Sequence, residues 1–345
     1  MSHGTEAEST SRIGSGGRHE LISLADRSRW ERALAEVPHG HAHTWGFCRA
    51  VQLTTELPTF MYRFEAHGVR VICPLSERRF ADEVDIVTPQ GFGGFIGTGP
   101  WRGFAQEWAA FARSQGWVCA YIALNPLVAD AEGFPRTDVH AHNHLYAMDL
   151  GGSADNVRAR MGSNRRRQLR DWPRIEERLV LDRQRLTQFL LEQYAPFFAR
   201  RGAGPATDYA ASTIRAVANL DDVLAVGILG DEGEIEAVAV FGHGSHTADY
   251  LINVSLPGAT HHSAFLVWAG VEWARSLGLE HLNLGGGISP GDGVAEFKRR
   301  FGAVALPLVS LHQVFRPDVY QRLVLQAGVT AQERYFPAYR ARSPP

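Results

Sequence analysis

The chain has 345 residues, of which 45% are hydrophobic and 21% charged, so it has the composition of an ordinary globular protein and the length for two domains. Its formal net charge of -2 identifies no partner, and we expect no DNA binding. Cys48, Cys73 and Cys119 are too far apart for a metal or CxxC motif, and no apolar run reaches the length of a membrane span. We therefore expect a cytoplasmic protein with reduced thiols and no transmembrane segment.

The first predicted elements follow a polar tail. Residues 1–18 lack the apolar core of a signal peptide and predict a disordered segment. Helical patterns over residues 27–36 and 45–55 come next, followed by a hairpin of strands 60–65 and 69–75. The loop between the helices contains the alternating histidines His39, His41 and His43. No acidic or cysteine partner is near and loop histidines are usually solvated, so we expect no metal there.

A helix, a glycine and a strand form a unit that recurs later in the chain. Residues 104–114 predict the helix, Gly116 ends it, and residues 118–124 predict the strand. The segment ARSQGWVCAYIAL from Ala112 parallels ARSLGLEHLNLGG from Ala274, at an offset of 162 residues. Helix–glycine–strand is common in α/β proteins, but the match indicates a duplicated unit.

A second set of alternating histidines precedes the expected domain boundary. His140, His142 and His144 lie in a predicted strand that ends near Leu150, which would place the three side chains on one face. We expect an edge strand there rather than a metal site. Residues 151–154 are rich in glycine and predict the boundary between the two domains.

The next segment is strongly basic. Residues 158–185 contain ten arginines and four acidic residues, a local net charge of +6. A helical pattern over residues 155–172, stopped by Pro173, places Arg165 on the apolar stripe while Arg166 and Arg167 point elsewhere. One hypothesis is an anion clamp, including Arg165 and Arg166, for a phosphate-bearing substrate or the acceptor stem of a tRNA. The other is a solvated basic face.

The second half predicts another α/β unit. Its predicted helices cover residues 186–201, 208–219 and 264–276, and its predicted strands cover residues 223–229, 234–242 and 247–255. The strand that ends at Leu284 runs into Gly285, Gly286 and Gly287, where a ligand could lie directly on the backbone.

A short helix with an inward lysine follows these glycines. Asp292 is a candidate N-cap, and Val294, Phe297 and Phe301 recur at helical spacing. At about 100° per residue, Lys298 projects roughly 40° from Val294 and roughly 60° from Phe301. The lysine could act in a glycine-lined crevice, or its stem could pack on the phenylalanines while its ammonium reaches water.

The segment from the three glycines through D-G-V-A-E-F-K-R-R-F-G resembles the C-terminal signature of FemAB-like proteins and of the related BioF2-like (CelD-like) acyltransferases. The resemblance extends from about His19 to about Phe315. It implies an α/β protein of two tandem GNAT-like halves, each a mixed, mostly antiparallel sheet flanked by helices. The halves would cover residues 19–150 and 151–315, followed by a C-terminal helix and tail over residues 316–345.

The resemblance also implies roles for particular residues. Lys298 stands at the lysine of the F-K-x-x-F-G element, which is thought to assist acyl transfer in Fem-type aminoacyltransferases. A P-x-G-[YF]-G-G turn is common in these families, and here Gln90, Gly91 and Phe92, with the next two glycines, would line the crevice of the first half.

The loop expected to hold the acyl donor departs from the GNAT pattern. GNAT enzymes carry [RQ]-x-x-G-x-[GA] at this point, with backbone N–H groups on the CoA pyrophosphate. Here the loop contains Thr260, His261, His262 and Ser263 and lacks the glycines. This departure disfavours CoA and favours aminoacyl-tRNA, although hydroxyls, imidazoles and N–H groups for an anion remain.

These observations predict an N-acyltransferase. Lys298 would stabilise the tetrahedral oxyanion, and Asp249 and Asn253 are the best candidates for moving the proton. Gly285 to Gly287, Asp292 and Phe297 would bind substrate. The donor would be aminoacyl-tRNA and the acceptor an amine of a peptide or cell-envelope precursor, with no tightly bound cofactor. The alternatives are an acyl-CoA or carrier-thioester donor, and a non-catalytic binding module.

Overall fold

The computed structural model describes residues 17–101, 103–129, 131–202, 208–287, 293–329 and 335–341. Within these residues one mixed sheet of 13 strands runs through the molecule, and helices flank it. Only two of its strand pairs in this part of the chain are parallel. The predicted α/β class, with a mostly antiparallel mixed sheet flanked by helices, is therefore confirmed.

The first half of the chain contributes seven strands and three helices. The strands are β1 (Arg18–Ser23), β2 (Thr59–Ala66), β3 (Val69–Phe80), β4 (Glu83–Val87), β5 (Ile96–Thr98), β6 (Cys119–Ala123) and β7 (Val139–Asp149). The helices are α1 (Arg27–Ala35), α2 (Trp45–Thr55) and α3 (Phe104–Ser114). Helices α1 and α2 lie between β1 and β2 in sequence, and α3 connects β4 to its parallel neighbour β6.

The second half repeats this order after a short helical segment. That segment contains α4 (Ala154–Arg160), α5 (Ser163–Gln168) and α6 (Trp172–Glu176). The strands are β8 (Leu179–Val180), β9 (Val223–Leu229), β10 (Ile235–His243), β11 (Thr247–Ser255), β12 (His281–Gly286) and β13 (Val304–Val314). The helices are α7 (Arg183–Arg200), α8 (Ala211–Ala218), α9 (Ser263–Ser276), α10 (Gly293–Arg299) and α11 (Pro317–Gln326). Helix α9 connects β11 to its parallel neighbour β12.

The recurring sequence segment coincides with this crossover. Gly116 follows α3 at φ +75° and Gly278 follows α9 at φ +73°, so both helices end in the left-handed conformation that favours glycine. Each glycine is followed by the strand that pairs in parallel. The two copies therefore adopt the same local structure, as the repeat predicts.

The last strand of each half pairs with the other half. Strand β13 lies between β6 and β7, and β7 lies between β13 and β12, so the sheet order at the centre is β6-β13-β7-β12. The expected edge strand with its three histidines is thus wrong, because β7 is central in the sheet. The boundary near residues 151–154 remains a prediction, but the sheet does not divide there.

Two further expectations are wrong. The basic helix expected over residues 155–172 is broken, because Met161 is extended at ψ 153° between α4 and α5, and Pro173 lies in the first turn of α6 instead of ending a helix. The loop histidines are not solvated: His41 and His43 are both 0% exposed. The N-terminal tail up to residue 16 lies outside the described residues.

Both faces of the sheet are covered in the second half. On one face, which we call the α9 face, Ala239, Phe241 and Tyr250 pack with α9 and α10. On the opposite face, Val240 and Ile252 pack with α7, α8 and α2, so a helix of the first half helps to cover the second half. The helices in the described part include none with the length and apolarity to cross a membrane.

Candidate active site

Lys298 lies at the glycine-rich end of β12. Its side chain is buried, and its Nζ donates a hydrogen bond to the Gly286 carbonyl at 2.5 Å. Gly285 has φ +77°, and a Cβ at that position would lie 3.4 Å from the lysine Nζ. The ammonium thus lies against the Gly286 carbonyl and close to Gly285. Of the two alternatives for this residue, the ammonium that reaches out to water is wrong.

Lys298 is also the only lysine of the chain, which otherwise contains 34 arginines. Arginine therefore serves at every other basic position, including the exposed neighbours Arg299 and Arg300. An ammonium is compact and can lose its proton, whereas a guanidinium is broad and stays charged. That a single lysine stands among arginines is visible in the sequence, but the motif analysis did not take it into account.

A buried chain of hydrogen bonds fixes the backbone beside the lysine. The Gly285 N–H donates to Asn283 Oδ1 at 2.7 Å, and Asn283 Nδ2 donates to Asp249 Oδ1 at 2.6 Å. The other oxygen of Asp249 accepts from the backbone N–H of His41 at 3.2 Å. Burial raises the pKa of Asp249, while the hydrogen bonds from Asn283 and His41 oppose that rise. The chain links the first half of the protein to the glycines at Lys298.

The His41 side chain extends this connection. Its Nδ1 lies 3.3 Å from Asp222 Oδ2, and its ring covers Gly242, where a Cβ would come within 2.5 Å of the imidazole. Although burial acts to raise the pKa of Asp222, its hydrogen bond and electrostatic interaction with His41 lower that pKa overall. Sequence reasoning missed these roles, because 208 positions separate His41 from Asp249.

Asp249 and Asn253 do not share a site. Strand β11 contains a bulge at Leu251, since Tyr250 pairs with Phe241 and Ile252 with Val240. The bulge turns Asn253 to the α9 face, where its Oδ1 accepts from Ser263 Oγ at 3.1 Å. Asp249 faces the opposite side, and both of its oxygens are engaged. Asp249 therefore holds Asn283 and, through it, the Gly285 N–H.

Arg165 lies against the lysine helix. Its guanidinium stacks over the rings of Phe297 at 5.0 Å and Phe301 at 4.5 Å from the centroids. Burial and the nearby charge of Arg300 lower the pKa of Arg165. Its neighbour Gln168 donates to the His261 carbonyl at 2.9 Å, so the basic segment touches the predicted donor loop.

Other arginines of the basic segment bind the backbone. Arg166 is exposed, and its Nη1 donates to the carbonyls of Met161 at 2.6 Å and Ala159 at 3.2 Å. Arg160 likewise donates to the carbonyl groups of Asp149 and Gly151. Arg160 and Arg166 therefore support the backbone on either side of α4, while the anion clamp stays a prediction.

The predicted donor loop is a 3-10 helix, Ala259–His262, that runs directly into α9. His262 is buried with its Nε2 2.6 Å from Glu236 Oε2, and burial lowers its pKa despite that carboxylate. Thr260 and His261 are exposed. Within the described residues, the buried Nδ1 of His262 and Nδ2 of Asn253 have no hydrogen-bond partner. Polar groups thus gather around the first turn of α9.

The glycine turn of the first half packs against the loop of buried histidines. A Cβ at Gly91 would lie 3.1 Å from the Ala42 Cβ, and the Gly94 carbonyl lies 2.9 Å from His43 Nε2. Phe92 packs against a small apolar cluster that includes Leu145 and Leu308, and Gln90 is half-buried. These contacts show the turn as a packing surface between the first half and the central strands.

The remaining predicted residues, Gly287 and Asp292, precede the lysine helix in the sequence. The Gly287 carbonyl accepts from Asn143 Nδ2 at 2.8 Å, which ties the end of β12 to β7. Asp292, the candidate N-cap, lies outside the described residues. Lys298, Gly285 and Gly286 are therefore brought together as predicted, and Phe297 and Arg165 lie beside them on α10 and α5.

Comparison with solved structures agrees with this architecture. FemX superposes with a TM-score of 0.67 at 10% identity, covering 88% of this chain and 99% of FemX. The chain has the fold of FemX. We call it the Fem-type fold below.

Other solved structures share the Fem-type fold. L-PGS from Bacillus licheniformis matches with a TM-score of 0.53 at 12% identity, covering 87% of this chain and 94% of that one. A conserved protein from Bacteroides thetaiotaomicron matches with a TM-score of 0.58 at 10% identity, covering 86% and 99%. No family model and no curated protein sequence matches the chain. The resemblance to FemAB-like proteins is confirmed at the level of the fold.

Proposed function

We propose that this protein is an N-acyltransferase that forms an amide bond. Its preferred reaction is the transfer of an aminoacyl group from aminoacyl-tRNA to an amine of a peptide or cell-envelope precursor. One observation carries the proposal: in a Fem-type fold, the single lysine of the chain holds its ammonium against the Gly286 carbonyl at the glycine-lined end of β12.

Amide formation from an ester needs a positioned carbonyl and a cation for its oxygen. The neutral amine attacks the ester carbonyl, a C–N bond forms, and the oxygen of the tetrahedral intermediate becomes negative. The Lys298 ammonium stabilises that oxygen. When the C–O bond breaks, the proton lost by the amine ends on the ribose oxygen that leaves. The side-chain-free backbone at Gly285 and Gly286 lets the reacting carbonyl approach the ammonium closely.

The buried chain of hydrogen bonds beside the lysine fixes the position of the Gly285 backbone relative to the ammonium. Asn283 holds the Gly285 N–H, and Asp249 holds Asn283, so the backbone cannot turn away from the ammonium without breaking buried hydrogen bonds. A preorganised donor costs no reorganisation during the reaction. These residues position the catalytic group and do not themselves meet the substrate.

The choice of donor rests on the loop before α9 and on the arginines beside it. The loop has no glycine between Ala259 and Ser263, and the His262 side chain is already paired with Glu236. Gln168 joins the loop to α5, which carries the exposed Arg166 and Arg167. Exposed arginines favour a polyanion such as tRNA over the compact pyrophosphate of CoA.

Thermal-shift and calorimetric titrations with a charged tRNA pool, acetyl-CoA and free CoA, at two salt concentrations, test the donor. We expect stabilisation by tRNA that weakens with salt and is reduced by the Arg167→Glu substitution. The Arg113→Glu substitution, on the exposed side of α3, is the matched control. Stabilisation by CoA without a response to tRNA would indicate that the donor is an acyl thioester and not aminoacyl-tRNA.

The Lys298→Met variant tests the activity itself. We expect it to bind the donor like the wild type and to lose turnover, because only the cation for the oxyanion is removed. If the wild type binds ligands but shows no transfer with either donor class, the protein is a binding module.

A further inference from the structure

Three side chains with metal-binding groups converge at the starts of β11 and β12. His246 comes just before β11, and Glu280 and His281 lie where β12 begins. Each offers one ligand atom, and these atoms lie within 4.8 Å of one another. The cluster is invisible in the sequence, because 34 residues separate His246 from Glu280.

The backbone holds all three residues in place. The His246 N–H donates to the His39 carbonyl at 3.1 Å, and the Glu280 carbonyl accepts from the Leu150 N–H at 2.8 Å. His281 is paired across the sheet with Thr247 on one side and Asp149 on the other. A site whose backbone is fixed needs only side-chain movement to bind an ion.

One imidazole nitrogen of the cluster is buried and unsatisfied. Within the described residues, His281 Nδ1 is inaccessible to solvent and has no hydrogen-bond partner. A buried polar atom without a partner is unfavourable unless something else satisfies it. The rings of His246 and His281 lie 6.4 Å apart at an interplanar angle of 39°, which leaves space for an ion between them.

We propose that His246, Glu280 and His281 bind one Zn²⁺ ion. Two imidazoles and a carboxylate form a ligand set that suits zinc, and the fourth tetrahedral position stays open for water. Tetrahedral bonds of ~2.1 Å bring ligand atoms to about 3.4 Å from one another. A change of rotamer at Glu280 brings its carboxylate closer to the two imidazoles and supplies most of this shortening, since the side chain is exposed to solvent.

This site is separate from Lys298 and goes beyond the proposed acyl transfer. Gly286 lies five residues farther along β12 than His281, about 17 Å at the usual rise of a strand. The ion cross-links the starts of two parallel strands, and those strands also carry Asp249 and Asn283. The zinc therefore stabilises the strands that carry the buried chain of hydrogen bonds, and it takes no part in acyl transfer itself.

The test uses the full chain without a polyhistidine tag, stripped of metal by chelation. Titration with Zn²⁺ alone is expected to give one ion per chain with a dissociation constant of roughly 10 µM or tighter. Saturating Zn²⁺ is expected to raise the melting temperature by about 4 °C or more. Replacement of Zn²⁺ by Co²⁺ gives the visible absorption of a four-coordinate ion.

Single variants locate the site. His246→Gln, Glu280→Gln and His281→Gln are each expected to weaken Zn²⁺ binding at least tenfold. The metal-free His281→Gln protein should melt at the wild-type temperature, because its Nδ1 has no partner to lose. His142→Gln, an exposed histidine on β7, is the matched control and should bind like the wild type.

Two results would overturn the proposal. One is the absence of stoichiometric Zn²⁺ binding to the wild type. The other is unchanged binding in both His246→Gln and His281→Gln, which would assign the ion to other histidines. Since Zn²⁺ binding is measured without any acyl donor, neither result bears on the transfer reaction.

Discussion

At the scale of single residues, Lys298 illustrates why chemical type matters more than charge. The ammonium fits between the Gly286 carbonyl and the position that a Cβ of Gly285 would occupy. A guanidinium has the same charge but is wider and planar, so it cannot enter that space in the same orientation. The arrangement therefore predicts that the position discriminates between the two basic side chains.

The Lys298→Arg variant is expected to fold normally and to lose at least about 100-fold in kcat, the usual effect of removing one donor to an oxyanion. Transfer assays under saturating donor measure the loss. Arg299→Lys makes the reverse change at an exposed neighbour and should retain activity. Near-wild-type kcat in Lys298→Arg would show that any cation suffices.

His43 predicts how stability depends on pH. The imidazole is fully buried, and burial lowers its pKa to about 4, below the value of 6.5 for an exposed histidine. Between these values the unfolded chain binds a proton that the folded protein excludes. The free energy of unfolding should therefore fall as the pH drops from 6.5 towards 4, by up to about 1.4 kcal/mol per pH unit.

Denaturant unfolding at pH values between 4 and 7 checks this effect. The His43→Gln variant removes the titrating group, so its stability should depend less steeply on pH by close to one proton. An identical slope in both proteins would assign the acid sensitivity to other groups.

At the scale of elements, the turn at the end of β12 combines backbone conformation with the site. Gly285 has φ +77°, a conformation that costs a residue with a Cβ about 1 to 2 kcal/mol. Gly278, which follows α9 and precedes the same strand, has φ +73°, and a Cβ there would meet no atom of the described residues within 4 Å. A residue with a Cβ would thus be strained at both positions, but only at Gly285 would its Cβ lie close to another side chain.

Gly285→Ala and Gly278→Ala form a matched pair. Both are expected to lower the free energy of unfolding by about 1 to 2 kcal/mol. Only Gly285→Ala should also lower kcat, because its methyl group would lie 3.4 Å from the lysine ammonium, where the reacting carbonyl approaches. Chemical denaturation and transfer assays on the two variants separate these effects, and equal activities would show that Gly285 serves the fold alone.

Sequence periodicity found most elements of the fold. The strands Val223–Leu229 and Thr247–Ser255 and the helix Phe104–Ser114 lie where the pattern predicts them. The basic segment failed because its interruption depends on tertiary contacts: Arg166 binds the carbonyl groups at the break, and periodicity does not report that. Local pattern therefore locates regular elements well and breaks in them poorly.

The same division holds for the candidate site. Lys298 and its glycines follow from local spacing, because they lie within 14 residues of one another. Asp249 and Asn253 were both candidates for moving the proton, but the bulge at Leu251 places them on opposite faces of the sheet. The contact of His41 with Asp249 joins distant parts of the chain, which no local pattern encodes.

At the scale of the whole molecule, the last strand of each half, β7 or β13, pairs with strands of the other half and makes the two halves interdependent. Strand β7 has its partners, β12 and β13, in the second half, and β13 has its partners, β6 and β7, in the first. A half expressed alone would therefore expose an 11-residue strand with no partner.

Fragments 17–150 and 151–341 are expected to aggregate or remain unfolded when expressed separately and to form a soluble complex when co-expressed. Circular dichroism and the cooperativity of thermal unfolding measure this outcome. A cooperative transition in either fragment alone would contradict the interdependence and would support two autonomous domains.

The pairing of strands between the two halves also determines when the sheet can be completed during synthesis. Cys119 on β6 pairs with Val314 on β13, 195 residues later. A ribosome needs about 10 to 40 s to add that many residues. Throughout this interval the nascent first half presents an open strand edge, so the newborn chain is most vulnerable to association with its neighbours before its last strand emerges.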